Sequence, residues 1–128
     1  MSILETATPV VVVCTKDRAS ATAFYRFVLG LKFVREDSFA AIFSVGGITL
    51  RISTVAQFTP HEHTIFGFVV FDVPAAVTAM RDKGVVFNFY PSLKQDELGI
   101  WTAPEGTVRV AWFKDPDGNV LSVSNASA

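Results

Sequence analysis

The chain has 128 residues, one domain's worth; half are hydrophobic, twelve are Phe, and 18% are charged. This composition excludes disorder, and no apolar run approaches the ~18 residues a membrane-spanning helix needs. Eleven Lys and Arg against twelve Asp and Glu leave a net charge of −1 with no basic run, so nucleic acid has no electrostatic footprint here.

The opening MSILETATP lacks a cationic start followed by an apolar run, so no signal peptide is expected and the expected compartment is the cytoplasm. A single Cys excludes an internal disulfide and fits a reducing compartment. Residues 9–14, PVVVVC, are a β-branched run that reads as a buried strand. Asp17 sits where a helix N-cap would be. Ala21, Phe24, Val28 and Leu31 then recur at spacings of three and four, and Gly30 stands at the helix end. A strand follows over 32–35. Next comes a hairpin, 39–45 and 48–53, around Gly46-Gly47.

A polar stretch over 54–64 leads to a second apolar strand, 65–71. The order then repeats. Asp72 caps a helix with Pro74 in its first turn and Val73, Ala76, Val77 and Met80 on its apolar face. Gly84 closes it, a strand is predicted over 86–89, and a loop runs from Tyr90 to Gly106 with Trp101 inside it. A last hairpin, 108–113 and 120–123, surrounds the turn-rich Asp115-Pro116-Asp117-Gly118-Asn119. The pattern is strand, helix, three strands, written twice. It argues for an α+β fold, with modules over about 8–56 and 64–126 packed into a single domain over 1–128.

Three stretches carry a family resemblance. Asp17-Arg18-Ala19-Ser20 with Phe24-Tyr25 and Leu29-Gly30-Leu31 forms the first. Phe71-Asp72-Val73 with Ala75-Ala76 and Gly84 forms the second. Phe113-Lys114-Asp115-Pro116-Asp117-Gly118-Asn119 forms the third. In order and spacing they resemble the vicinal oxygen chelate superfamily, the group of glyoxalases, bleomycin-resistance proteins and extradiol dioxygenases. The resemblance spans about residues 9–124. It implies two βαβββ modules forming a curved mixed sheet around a cleft. Enzymes of the group hold a divalent metal there, on His or Gln, Glu, His and Glu from the first and last strands of each module.

Counted from the motifs, the equivalent positions are Val10, Arg51, Ile65 and Ser122. Val and Ile have no donor atoms, Arg repels a cation, and Ser alone is a weak ligand. A register shift of two would bring His63 to the place of Ile65 and leave the others without strong donors. No metal and no cofactor are therefore expected.

Arg51, between Leu50 and Ile52, points opposite to them. In the family register it faces the cleft and suits a carboxylate or phosphate; the alternative is an ordinary solvated charge. Most strand Phe residues read as core. Trp101, in a polar loop, reads as a ligand cover or an interface residue. His61-Glu62-His63 reads as a solvated loop, and Asp115-x-Asp117-x-Asn119 lacks the Gly and Glu of a calcium loop. Cys14 reads as a small hydrophobe on the face of Val10 and Val12.

The expected function is a metal-independent small-molecule binding protein of the bleomycin-resistance type. It would sequester a hydrophobic or aromatic ligand, with or without an anionic group, lined by Val10, Phe39, Arg51, Ile65, Trp101, Trp112 and Ser122. Two alternatives stand beside it: a glyoxalase-like lyase or isomerase with an atypical metal site or none, and a domain with a self-filled cleft and a partner-binding role. The resemblance also implies a homodimer.

Overall fold

The computed structural model describes residues 2–126. It divides into two compact units, residues 1–58 and 59–128, each with its own four-stranded mixed sheet. The sheets are open rather than closed into barrels, and the fold is α+β. No helix among the described residues is long and apolar enough to cross a membrane.

In the first unit β1 (Val10–Thr15) leads into α1 (Arg18–Ala23), whose last turn widens into a π-type turn over Phe24–Val28. The Leu29 N–H reaches back five residues to the Phe24 carbonyl at 2.9 Å. Strands β2 (Lys32–Glu36), β3 (Ala40–Val45) and β4 (Ile48–Thr54) follow. The sheet order is β1-β4-β3-β2, with β1 parallel to β4 and the other pairs antiparallel. The β3–β4 turn is Gly46-Gly47, with φ of 54° and 83°. Both residues need the left-handed region in a two-residue hairpin, where only glycine is unstrained.

Alternation along the strands sorts the side chains. Val13, Leu50, Ile52, Ala41 and Phe43 are buried on the side where α1 packs, together with Ala21 and Tyr25. Tyr25 meets Phe24 edge-on at 5.5 Å and lies 6.2 Å from Phe43. Fully burying side chains of this size contributes about 1.5–3 kcal/mol each.

In the second unit β5 (Thr64–Val69) leads into α2 (Val73–Asp82). Strands β6 (Trp101–Thr102), β7 (Arg109–Lys114) and β8 (Val120–Ser124) complete a sheet ordered β5-β8-β7-β6. Val73, Val77, Phe87, Ala111, Phe113, Leu121 and Val123 make its core, with α2 on β7 and β8.

The strand predicted over 86–89 is reduced to one bridge, Phe87 to Phe113, plus a hydrogen bond from the Asn88 N–H to the Trp112 carbonyl at 2.8 Å. The outer edge of β7 is shared: residues 87 and 88 hold its 112–113 end, and β6 holds its 109–110 end. Trp101, expected in a loop, therefore lies in a two-residue edge strand. Between the two holds, the chain arches away at Pro91 and returns through Gly99. An added Cβ at Gly99 would sit 3.3 Å from the Phe87 Cβ, so the returning loop fills the place a longer strand would take.

Candidate functional site

The face of the first sheet opposite α1 carries Val10, Val12 and Cys14 from β1 and Thr49, Arg51 and Ser53 from β4. Val10 pairs with Thr49 and Val12 with Arg51, so Val10 and Arg51 do share a face. Val10 and Val12 are exposed. Arg51 is not an open cation: its Nη2 donates to the Asp37 Oδ2 at 2.9 Å. Asp37 in turn accepts at Oδ1 from the Phe39 and Ala40 N–H groups, both at 2.8 Å. The Phe39 N–H and the Arg51 guanidinium hold this carboxyl below its ordinary value, against an opposing desolvation cost.

Arg18 braces the same corner. Its Nε donates to Thr54 Oγ1 at 2.8 Å, its Nη1 to the Asp37 carbonyl at 3.0 Å, and its Nη2 to the Ser38 carbonyl at 3.3 Å. Phe39, beside it, is 71% exposed, so its ring is not part of the core.

On the second sheet the face opposite α2 carries Thr64, Gly67 and Val69 from β5, Ser122 and Ser124 from β8, and Val110, Trp112 and Lys114 from β7. Gly67 is paired with Ser122 and Thr64 with Val120, so these share that face, whereas Ile65 has no partner on β8 and lies at the irregularity between Thr64 and Phe66. An added Cβ at Gly67 would lie 2.5 Å from the Ser122 Oγ. The glycine thus leaves a notch that the serine hydroxyl occupies.

Trp101 and Trp112 come together, with ring centroids 6.4 Å apart. Tyr90 meets Trp112 edge-on at 5.6 Å. Its hydroxyl accepts from the Asn88 amide at 3.1 Å. Gln95 fixes this arch: its Oε1 accepts from the Tyr90 N–H at 2.7 Å, and its Nε2 donates to the Asn88 and Gly99 carbonyls, both at 2.8 Å. The result is a preorganised aromatic platform.

Two hollows adjoin it. One of about 610 Å³ is lined by His61, Glu62, Asn88, Tyr90 and Lys114, among others. The other, about 310 Å³, is lined by Glu62, His63, Tyr90, Leu93 and Trp112, among others. Their size suits a small organic ligand. His61 and His63 stack with centroids 4.8 Å apart in a loop.

The fold brings Trp101, Trp112 and Ser122 to one sheet face, and Val10 and Arg51 to another; Ile65 lies at the irregularity in β5 and is not placed with them by the pairing. The sequence does not reveal Asp37, Tyr90, Gln95, Lys114 or Gly67 as neighbours of these residues. Gly67 did carry a signal, since a lone glycine within an apolar strand marks a close approach. The other four are ordinary polar residues, distinguishable only in three dimensions.

The residues do not fit the metal of the family's enzymes. Two of the four equivalent positions are aliphatic, the third is a guanidinium already paired with a carboxylate, and the fourth is a serine. Among the described residues, no three His, Cys, Asp or Glu side chains cluster closely enough to hold a metal ion.

Comparison with known proteins supports the same fold. A glyoxalase family protein from Bacillus anthracis superposes with a TM-score of 0.71 at 17% identity, covering 93% of each chain. Lactoylglutathione lyase from Agrobacterium tumefaciens gives 0.69 at 19%, covering 93% of this chain and 92% of that one. A protein from the mobile metagenome of V. Pseudocholerae gives 0.66 at 25%, covering 100% and 98%. No curated protein matches significantly. A sequence model of the family matches residues 8–123. The chain belongs to the glyoxalase/bleomycin resistance protein/dioxygenase superfamily.

Proposed function

We propose that the protein binds a planar, largely apolar small molecule without a metal, in the manner of a sequestering protein. The observation that carries this reading is the platform of Trp101, Trp112 and Tyr90 beside two hollows. It is supported by Ile65 and Ser122 being the counterparts, by the resemblance, of positions where enzymes of the family keep metal ligands. Stacking against such rings suits an aromatic ligand. Beside the rings, the Ser122 hydroxyl in the notch at Gly67 adds a polar group to the same sheet face.

The working form we propose is a cytoplasmic homodimer. Val10, Val12, Phe71 and Phe89 are exposed apolar side chains that a second copy would cover. Light scattering at micromolar concentration should return twice the 13.9 kDa chain mass.

A thermal-shift screen of planar aromatic compounds, run in chelator, tests the binding reading. Stabilisation by such compounds in EDTA supports it. Stabilisation only after Ni, Zn, Mn or Fe is restored overturns it.

A further inference from the structure

We infer that Lys114, with the Tyr90 hydroxyl beside the same hollow, is the anion anchor of the ligand site, and that the ligand is a planar aromatic monoacid. This rests on the reading of the second unit's face as the ligand platform. It assigns the ligand's charge to a residue other than Arg51.

Lys114 ends β7 and lines the larger hollow. Two residues earlier on the same face, Trp112 lines the smaller one, and Tyr90 and Glu62 line both. Among the described residues Lys114 has no ion pair or side-chain hydrogen bond. Its ammonium thus keeps three donors for a ligand. Tyr90 accepts from Asn88, so its own hydroxyl proton is available to donate, and the Gln95 clamp holds the ring in place.

Neighbouring charges decide the ligand's valence. Asp115, next in sequence, is spent internally: its Oδ1 accepts from the Asp117 and Asn119 N–H groups, and its Oδ2 from the Asn119 amide. It is buried and is not among the groups lining the hollow. Glu62 does line it, so a second negative charge on the ligand would meet repulsion. His61 lines it too and adds positive charge only when protonated. One acid group therefore fits, with its ring against Trp112 and Tyr90.

Arg51 is the natural competitor for this role. Its guanidinium already holds the Asp37 carboxylate at 2.9 Å, so an incoming anion must displace an internal one.

The test uses 2-naphthoate and its neutral amide as probes, with quenching of the two tryptophans as the readout. The wild type should bind the acid about tenfold more tightly than the amide, the scale of one hydrogen bond to a charged group. Lys114→Met should erase that preference and leave amide binding within about twofold. Lys114→Arg should retain most of it, and Arg51→Met should leave it intact. Because Lys114 is exposed, both variants should fold, and amide binding checks this directly. Preference surviving in Lys114→Met, or vanishing in Arg51→Met, overturns the assignment. Equal binding of acid and amide by the wild type overturns it while sparing the platform. Failure of both probes to bind defeats the platform and the anchor together.

Discussion

Asp37 closes on Arg51 at 2.9 Å while the same carboxylate receives the Phe39 and Ala40 N–H groups. One side chain both shapes the turn into β3 and neutralises the cation on the adjoining sheet face. Arg51 and Asp37 are 29% and 34% exposed, so solvent screens the pair and its role is positional more than energetic.

Substitution separates the two jobs of Asp37. Asp37→Asn keeps an oxygen for the two backbone donors and removes the ion pair. Asp37→Ala removes both. Urea denaturation should therefore show a greater stability loss for the alanine variant. Equal losses would mean that the turn hydrogen bonds are unimportant.

Acid should weaken the native state through this residue. The Phe39 N–H and Arg51 lower the folded carboxyl's pKa, so its stabilisation is complete above the ordinary carboxylate value of 3.8. It is lost as pH falls from there through the lower folded value. Asp37→Asn should show a shallower loss of stability between neutral pH and pH values below 3.8 than the wild type does. Parallel curves would contradict the assignment.

Gln95 is expected to hold the arch over residues 88–100. Gln95→Ala removes an acceptor and two donor contacts and should cost about 2 kcal/mol. Hydrogen exchange should accelerate at the Tyr90 and Gly99 amides while the β7–β8 pairing stays protected. Unchanged exchange in the arch would show that it is held by other contacts.

Gly67 and Ser122 should behave as a coupled pair. In Gly67→Ala the new Cβ meets the Ser122 Oγ at 2.5 Å, and the hydroxyl must rotate away. Ser122→Ala added to Gly67→Ala should restore stability, with a coupling of about 1 kcal/mol in a double-mutant cycle. Additive effects would mean the notch closes without strain.

Much of this architecture was legible along the chain. Asp17 and Asp72 were recognisable as caps, and their carboxylates do accept from the Ser20 and Ala75 N–H groups at 3.2 and 3.0 Å. Alternation placed Arg51 opposite Leu50 and Ile52, as found. What local pattern did not disclose was partnership. Asp37 lies fourteen positions before Arg51, in a loop whose side chains have no period. The 86–89 segment has strand composition, yet its ladder is cut short by the loop returning at Gly99. Trp101 took the vacated part of the β7 edge, a tertiary outcome that propensity does not encode.

Calorimetric titration of EDTA-dialysed protein with 2-naphthoate, repeated after adding Ni, Zn or Mn, tests metal-independent aromatic binding most directly. Saturable one-to-one binding of the same affinity in both conditions is the predicted result. Binding that appears only once metal is restored would contradict it.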